Sequence, residues 1–231
     1  KKIILTINEL NIELNSHVAI LGDLQGPKLR IGEVTQKTTL KKNDLITIQE
    51  GQNPSNKESL FINYVNIIKD IKVGDKILLD DGKIILKAQN SDNAKIHCVV
   101  VQGGELKENK GVNLPNTKIS IPTITKKDYT DVLFCIKNNI EWLALSFVRS
   151  AKDIINLKKI ISDHNGNLKV IAKIEKPEAI KNLKSIILNS DALMVARGDL
   201  GVEVPTQKVP VLQKKIVRAS RKKAKPVIIA T

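Results

Sequence analysis

Lys169-Val-Ile-Ala-Lys-Ile-Glu175 and Ala192-Leu-Met-Val-Ala-Arg-Gly-Asp199 are two apolar runs of strand length, each ending in charged residues. Between them lies Pro177–Leu188, a helix-length periodic segment whose proline suits a first helical position. Working outward, the same alternation continues. Trp142–Phe147 and Pro226–Thr231 read as further buried strands. Lys126–Asn138, Ala151–His164 and Gln207–Lys223 read as helices, with Pro210 delaying the start of the last. Upstream, Lys2–Asn11 reads as a short helix and Val18–Gly22 as a strand ending in Asp23. Continuous apolar strands alternating with helices predict βαβ units and a buried parallel sheet, an α/β fold.

From about Gly26 to Ile121 the pattern changes to shorter, alternating runs: Leu45–Gln49, Leu60–Tyr64, Lys76–Leu79, Lys83–Lys87 and Lys95–Val101. Asp81-Gly82 between two of them is a hairpin signal, because both residues tolerate positive φ. This middle segment reads as a small antiparallel barrel or sandwich inserted into the α/β domain.

Composition narrows the function classes. The 231 residues are 42% hydrophobic and 27% charged, which excludes a disordered tail. Aromatics are only 3%, so the core must come from Ile, Leu and Val, and a stacking platform for single-stranded nucleic acid is excluded. The formal net charge is +14, and Lys208–Lys225 carries eight Lys/Arg with no acid. Its interleaved Val209, Val211, Leu212, Ile216 and Val217 make that stretch an amphipathic helix with a solvated basic face. Cys98 and Cys135 form no CxxC pair, and His17, His97 and His164 are scattered, so neither a zinc site nor a disulfide framework is expected. No apolar run approaches the ~18 residues of a membrane span, and Lys-Lys-Ile-Ile-Leu-Thr-Ile-Asn-Glu is not a signal peptide. The expected address is the cytoplasm. The chain opens on Lys1 rather than Met and stops at Thr231 after an apolar run, so both ends read as cut.

The polar residues at the carboxyl ends of the parallel strands are Asp23, Ser146, Lys173 with Glu175, Arg197 with Asp199, and Thr231. In a (β/α) barrel that is the face where active sites form. Lys173 and Glu175 stand two apart and point to one side of an extended segment. Glu175 and Asp199 end neighbouring strands, so their carboxylates can converge. Two carboxylates completed by substrate oxygens and water are how Mg²⁺ is commonly held. A lysine and an arginine beside them face a phosphate, which suits phosphoryl transfer. Each residue taken alone could instead be a capping or rim residue.

At these residues the sequence resembles the pyruvate kinase family. Val170-Ile-Ala-Lys-Ile-Glu-Lys-Pro-Glu-Ala-Ile180 is similar to the signature around the family's catalytic lysine, and Met194-Val-Ala-Arg-Gly-Asp-Leu-Gly-Val-Glu203 to its magnesium and substrate loop. Leu21-Gly-Asp-Leu-Gln-Gly-Pro-Lys-Leu-Arg-Ile-Gly32 resembles the strand that precedes the family's inserted lid, and Lys110-Gly-Val-Asn-Leu-Pro115 the return from it.

The resemblance implies the reaction phosphoenolpyruvate + ADP → pyruvate + ATP. It implies that Glu175 and Asp199 ligate Mg²⁺ and that Lys173 steadies the phosphoryl group and the enolate oxygen. The backbone N–H groups of Gly198 and Asp199 would take the substrate carboxylate with the Thr231 hydroxyl, and Thr231 would help deliver a proton to the enolate carbon. Arg197 would support this substrate-binding loop through ion pairs. Arg30 and Asn113 match positions near the nucleotide, Asp23 and Leu24 a monovalent-cation site, and Asp80 and Asp81 the lid edge that closes to exclude water. Lys28 stands in Gly26-Pro27-Lys28, where potassium-dependent members carry glutamate. A tethered ammonium there would replace the ion, so potassium is expected not to be required.

The implied domains are 1–26 and 122–231 for a partial TIM barrel and 27–121 for the lid. Five of eight barrel strands are counted, by resemblance the third to the seventh. The expectation is therefore a fragment with little activity alone, from a family whose full-length members are homotetramers. Two other classes stay open: a magnesium-dependent barrel lyase or aldolase acting on pyruvate-like acids, which a hydroxy-oxoacid substrate would reveal, and a basic nucleic-acid binder, whose affinity would fall steeply with salt.

Overall fold

A computed structural model describes residues 1–115 and 117–231. In chain order the elements are α1 (Lys2–Glu13), β1 (Leu21–Leu24), β2 (Thr38–Leu40), β3 (Leu45–Glu50), β4 (Ser59–Ile62), α2 (Ile67–Asp70), β5 (Lys76–Leu79), β6 (Ile84–Ser91), β7 (Ile96–Gln102), β8 (Gly104–Leu106) and β9 (Val112–Asn113). There follow α3 (Lys126–Lys137), β10 (Trp142–Leu145), α4 (Ala151–Asp163), β11 (Lys169–Ile174), α5 (Pro177–Lys181), α6 (Leu183–Asn189), β12 (Ala192–Ala196), α7 (Arg197–Glu203), a 3₁₀ turn (Thr206–Lys208), α8 (Val209–Arg221) and β13 (Val227–Ala230). The chain divides into two compact units, one of Lys1–Pro27, Thr123–Leu200 and Gln207–Thr231, the other of Lys28–Pro122 and Gly201–Thr206.

The first unit carries a five-stranded, wholly parallel sheet in the order β1-β10-β11-β12-β13. Its central strands are apolar because both faces are covered. Val170, Ala172, Ile174, Leu193 and Val195 are fully buried on one face, while Ala144, Ile171 and Ala192 form a small cluster with Trp142 and Met194 on the other. The sheet is open, with β1 and β13 at its edges and Leu21, Ile228 and Ile229 each more than a third exposed. Helices α3, α4 and α8 pack on β1, β11 and β12.

Capping fixes where two of these helices start. Asp128 is fully buried and accepts hydrogen bonds from Thr125 N–H (2.9 Å), Thr125 Oγ1 (2.6 Å) and Gly26 N–H (3.1 Å), which ties the entry of α3 to the end of the β1 segment. Asp153 does the same for α4, accepting from Arg149 N–H (2.9 Å), Ser150 N–H (2.8 Å) and Thr123 Oγ1 (2.8 Å).

The single helix expected over 177–188 is two. Asn182 ends α5 and opens α6, and its side-chain amide donates to the Arg149 carbonyl (2.8 Å), a cross-link that competes with helix continuation.

The second unit corrects the expected antiparallel barrel. It is an open six-stranded mixed sheet, β4-β3-β7-β6-β5-β9, with β3 and β4 parallel, beside a separate β2/β8 pair. Alternation tells which face of a strand is buried and leaves strand direction and closure undetermined. Bridges from Ile31 to Ile62 and from Arg30 to Gly111 reach towards the two edges without forming a ladder. The core is aliphatic, with Ile48, Leu60, Ile62, Ile77, Leu79, Leu86, Ile96 and Val100 fully buried. The hairpin at Asp81-Gly82 is present, and left-handed backbone runs through Asp80 (φ 47°), Asp81 (φ 56°) and Gly82 (φ 86°). No helix among the described residues is long and apolar enough to cross a membrane.

Candidate active site

The carboxyl ends of β1, β10 and β11 build a charged centre around one ammonium. Lys173 shares the face of Ile171 on β11, and its side chain is only 12% exposed. Its Nζ meets Ser146 Oγ at 2.9 Å, Asp23 Oδ1 and Oδ2 at 3.1 and 3.2 Å, and Glu175 Oε1 at 3.3 Å. Ser146 follows β10, and Asp23 lies within β1, two strands from β11. Lys173 and Glu175, two apart in the chain, point to one side, where they meet at 3.3 Å.

Glu175 is buried, and its Oε2 accepts the Phe147 N–H at 2.8 Å. Phe147 has left-handed backbone (φ 54°), which turns that N–H inward just beyond β10. Burial pushes the Glu175 carboxyl above its ordinary value; Lys173 and the Phe147 N–H oppose this, and the charge of Asp199 adds to it. Burial also works against the Lys173 ammonium, yet the charges of Glu175 and then Asp23 outweigh it, so its pKa is raised and it stays protonated at neutral pH.

Residues 197–199, expected as a loop, are the first turn of α7. Gly198 sits against the Thr231 backbone: a Cβ there would lie 3.4 Å from the Thr231 carbonyl oxygen. Arg197 Nε donates to the Ala230 carbonyl (2.8 Å), a hydrogen bond from a charged donor to a neutral acceptor, in place of the ion pair expected of it. Asp199 and Thr231 are exposed. Leu24 buries its side chain in the core, so only its carbonyl could face a cation.

The remaining predicted residues belong to the second unit. Arg30 donates to the Asn109 carbonyl (2.7 Å), and Lys28 is exposed. Asp80 pairs with Lys83 (3.0 Å) and Lys110 (3.2 Å). Asn113 Nδ2 donates to Glu203 Oε1 (2.9 Å), a buried carboxylate to which the sequence reading gave no role although it ends the Met194–Glu203 motif.

Among the described residues no group of three His, Cys, Asp or Glu side chains could hold a metal. Glu175 and Asp199 are two carboxylates that follow the neighbouring strands β11 and β12, and the charge of Asp199 bears on Glu175. A hard divalent cation fits such a pair when substrate oxygens and water complete its shell.

Fold and site together define an α/β protein with a charged centre at the carboxyl ends of parallel strands. The family model described as "Pyruvate kinase, barrel domain" matches residues 1–231, and the chain belongs to the pyruvate kinase family. Among curated proteins it is 45% identical over 215 residues to a pyruvate kinase of Corynebacterium glutamicum, covering 93% of this chain and 45% of that protein. It is 41% identical over 226 residues to one of Corynebacterium efficiens (97% and 48%), and 41% identical over 229 residues to one of Staphylococcus aureus (98% and 39%). The chain thus spans about half the length of the curated relatives it matches, or less.

Proposed function

We propose that this chain supplies part of the catalytic machinery of a magnesium-dependent phosphotransferase that moves the phosphoryl group of phosphoenolpyruvate to ADP, giving pyruvate and ATP. The observation that carries the reading is the Lys173 centre: a semi-buried ammonium and a buried carboxylate meet at 3.3 Å within a chain that belongs, over its whole length, to the pyruvate kinase family. Lys173 neutralises charge on the phosphoryl oxygens in transit and on the enolate oxygen left behind. Glu175 and Asp199 would hold Mg²⁺, which would supply neutralisation of phosphate charge.

The N–H groups of Gly198 and Asp199 and the Thr231 hydroxyl orient the substrate carboxylate, with Arg197 steadying that turn through Ala230. The Thr231 hydroxyl also helps deliver a proton to the enolate carbon. Arg30 and Asn113 serve the nucleotide, and residues 27–121 act as an inserted lid between the barrel segments 1–26 and 122–231. Asp23 and Leu24 serve a monovalent-cation site, Leu24 through its carbonyl, and Lys28 makes potassium dispensable. The longer protein assembles as a homotetramer and works in the cytoplasm.

The test is turnover of phosphoenolpyruvate with ADP and Mg²⁺, read by pyruvate release, in the longer protein and its Lys173→Met variant, with and without potassium. Loss of turnover in a folded Lys173→Met variant is expected, with no requirement for potassium. Full turnover without the lysine refutes the reading. The 231-residue chain alone, with its open five-stranded sheet, should turn over little.

A further inference from the structure

The second unit carries a groove of about 380 Å³ that the proposed reaction does not use. One wall is the segment from α2 into β5, with Lys69, Asp70, Lys72 and Asp75; the other is the strap that carries Thr117 and Lys118. Hydrogen bonds between the walls fix both. Thr117 Oγ1 donates to Asp75 Oδ2 (2.8 Å), and Ser120 N–H to Asp70 Oδ2 (2.6 Å). The buried Tyr64 donates its hydroxyl to Asp70, and Asn66 Nδ2 donates to Ser120 Oγ (3.1 Å). Asp75 Oδ2 also accepts the Lys72 N–H (3.0 Å), which closes the turn through Gly74 (φ 93°) and sets the base of the Lys72 stem. Both acids are thus engaged within the walls. The lysines are not. The ion pairs of this unit among the described residues are Lys37–Glu105, Lys57–Asp44, Lys83–Asp80, His97–Asp92, Lys107–Glu105 and Lys110–Asp80, and the exposed Lys69, Lys72 and Lys118 are in none of them.

We propose that this groove is an anion site that takes a small phosphorylated molecule of two or more charges between Lys69 and Lys72 on one wall and Lys118 on the other. Three ammoniums against two carboxylates leave the groove net positive. Its size falls within the range of small-molecule pockets, about 300–1,000 Å³. No aromatic ring lines it, so a nucleobase would find no stacking surface and the ligand is recognised by charge. A phosphate presents up to two charges and several acceptor oxygens on one compact group, where a carboxylate offers one charge and two oxygens. The walls are held before any ligand arrives, so binding orders only three side chains. An occupant would bridge the strap to the α2 segment and add ionic contacts to the hydrogen bonds already there. It would pin the strap just before this stretch of the unit ends at Pro122. The site is independent of the reading of Lys173, which belongs to the other unit.

The experiment titrates the chain with pyrophosphate, without divalent cation, by calorimetry, with circular dichroism as the check on folding. The Lys173→Met background removes the other candidate phosphate site. Lys69→Met, Lys72→Met and Lys118→Met should each weaken binding about two- to fivefold, the range for one exposed ion pair, and the triple variant about tenfold or more. The matching arginine variants keep the charge and should keep the affinity. Lys→Gln at the same three positions serves if the methionine triple disturbs folding. A control triple, Lys37→Met, Lys42→Met and Lys107→Met, removes equal charge from the same unit outside the groove and should leave affinity within about twofold. Citrate, a carboxylate of similar charge, should bind more weakly than pyrophosphate. No saturable pyrophosphate binding by about 10 mM, or binding that survives loss of all three groove lysines, overturns the site. Equal weakening by the control triple shows attraction to the unit's overall charge and overturns it too. Citrate binding as tight as pyrophosphate overturns the phosphorylated class of ligand.

Discussion

Gly26 sits where the β1 segment ends, with φ +66°, and a Cβ placed on it would lie 2.9 Å from Phe147 Cδ2, 3.3 Å from Ser146 Cβ and 3.4 Å from the Ser146 carbonyl oxygen. Gly26→Ala therefore carries two penalties. Left-handed backbone costs an alanine about 1–2 kcal/mol. The ring contact cannot relax freely, because Phe147 is itself left-handed and its N–H is held by Glu175 at 2.8 Å. Overpacking of that kind costs about 1–3 kcal/mol. The sum is about 2–5 kcal/mol.

Trp142, the one tryptophan of the chain, lies on β10 in the same unit, so its fluorescence in a urea titration follows the affected unit directly. With a slope of about 1–3 kcal/mol per molar urea, the midpoint should fall by about 1 M or more. Gly198→Ala is the control: its Cβ would make only ordinary contact with Thr231 at 3.4 and 3.6 Å, and the midpoint should hold or rise slightly. A Gly26→Ala midpoint within about 0.3 M of the parent would show that the turn tolerates a side chain and that Phe147 is not pinned by Glu175.

Three further outcomes are expected. The Asp80 carboxyl is held below its ordinary 3.8 by hydrogen bonds from Lys83 and Lys110, so its contribution is present above that pH and is lost as pH falls through the lower folded value. Asp80→Asn should cost about 1 kcal/mol at neutral pH and nothing in strong acid, measured by denaturation against pH. The Glu175 carboxyl is raised above 4.5, so between that pH and its folded value the native chain holds more protons than the unfolded one, and stability falls as pH rises. Glu175→Gln should flatten that slope, and an unchanged slope in the Trp142 titration counts against a buried carboxylate there. Burial pushes the Cys98 thiol up to about 12, so a thiol reagent near neutral pH should label Cys98 only at the rate of unfolding.

The sequence carried the parallel sheet because each central strand is apolar on both faces and each is followed by a helical period. It did not carry the architecture of the second unit. There the runs alternate, and alternation says nothing of direction, so the parallel β3/β4 pair and the open edge escaped. Short elements such as β9 and α2 escaped because four residues or fewer cannot express a period. The break at Asn182 depends on a carbonyl at Arg149, far off in the chain, which no local pattern contains. The site divides the same way. Lys173 and Glu175 were legible from their spacing, since extended backbone sends residues two apart to one side. The grip of Asp23 on Lys173 needed the strand order, which sets β10 between them.

That intervening strand explains how a lysine spans two strands at all. Asp23 stands in register with Ala144, and Ala144 with Ile171, so Asp23, Ala144, Ile171 and Lys173 lie on one face. The residue between the ion-pair partners is the smallest that still carries a Cβ, and it is fully buried. A larger side chain at 144 would stand in the space the lysine stem crosses. Ser146, two residues on, then receives the ammonium at 2.9 Å just past the end of β10. The centre therefore needs no flexible loop to assemble it. Three consecutive parallel strands, each giving one residue of the right length at its carboxyl end, hold an ammonium above an alanine.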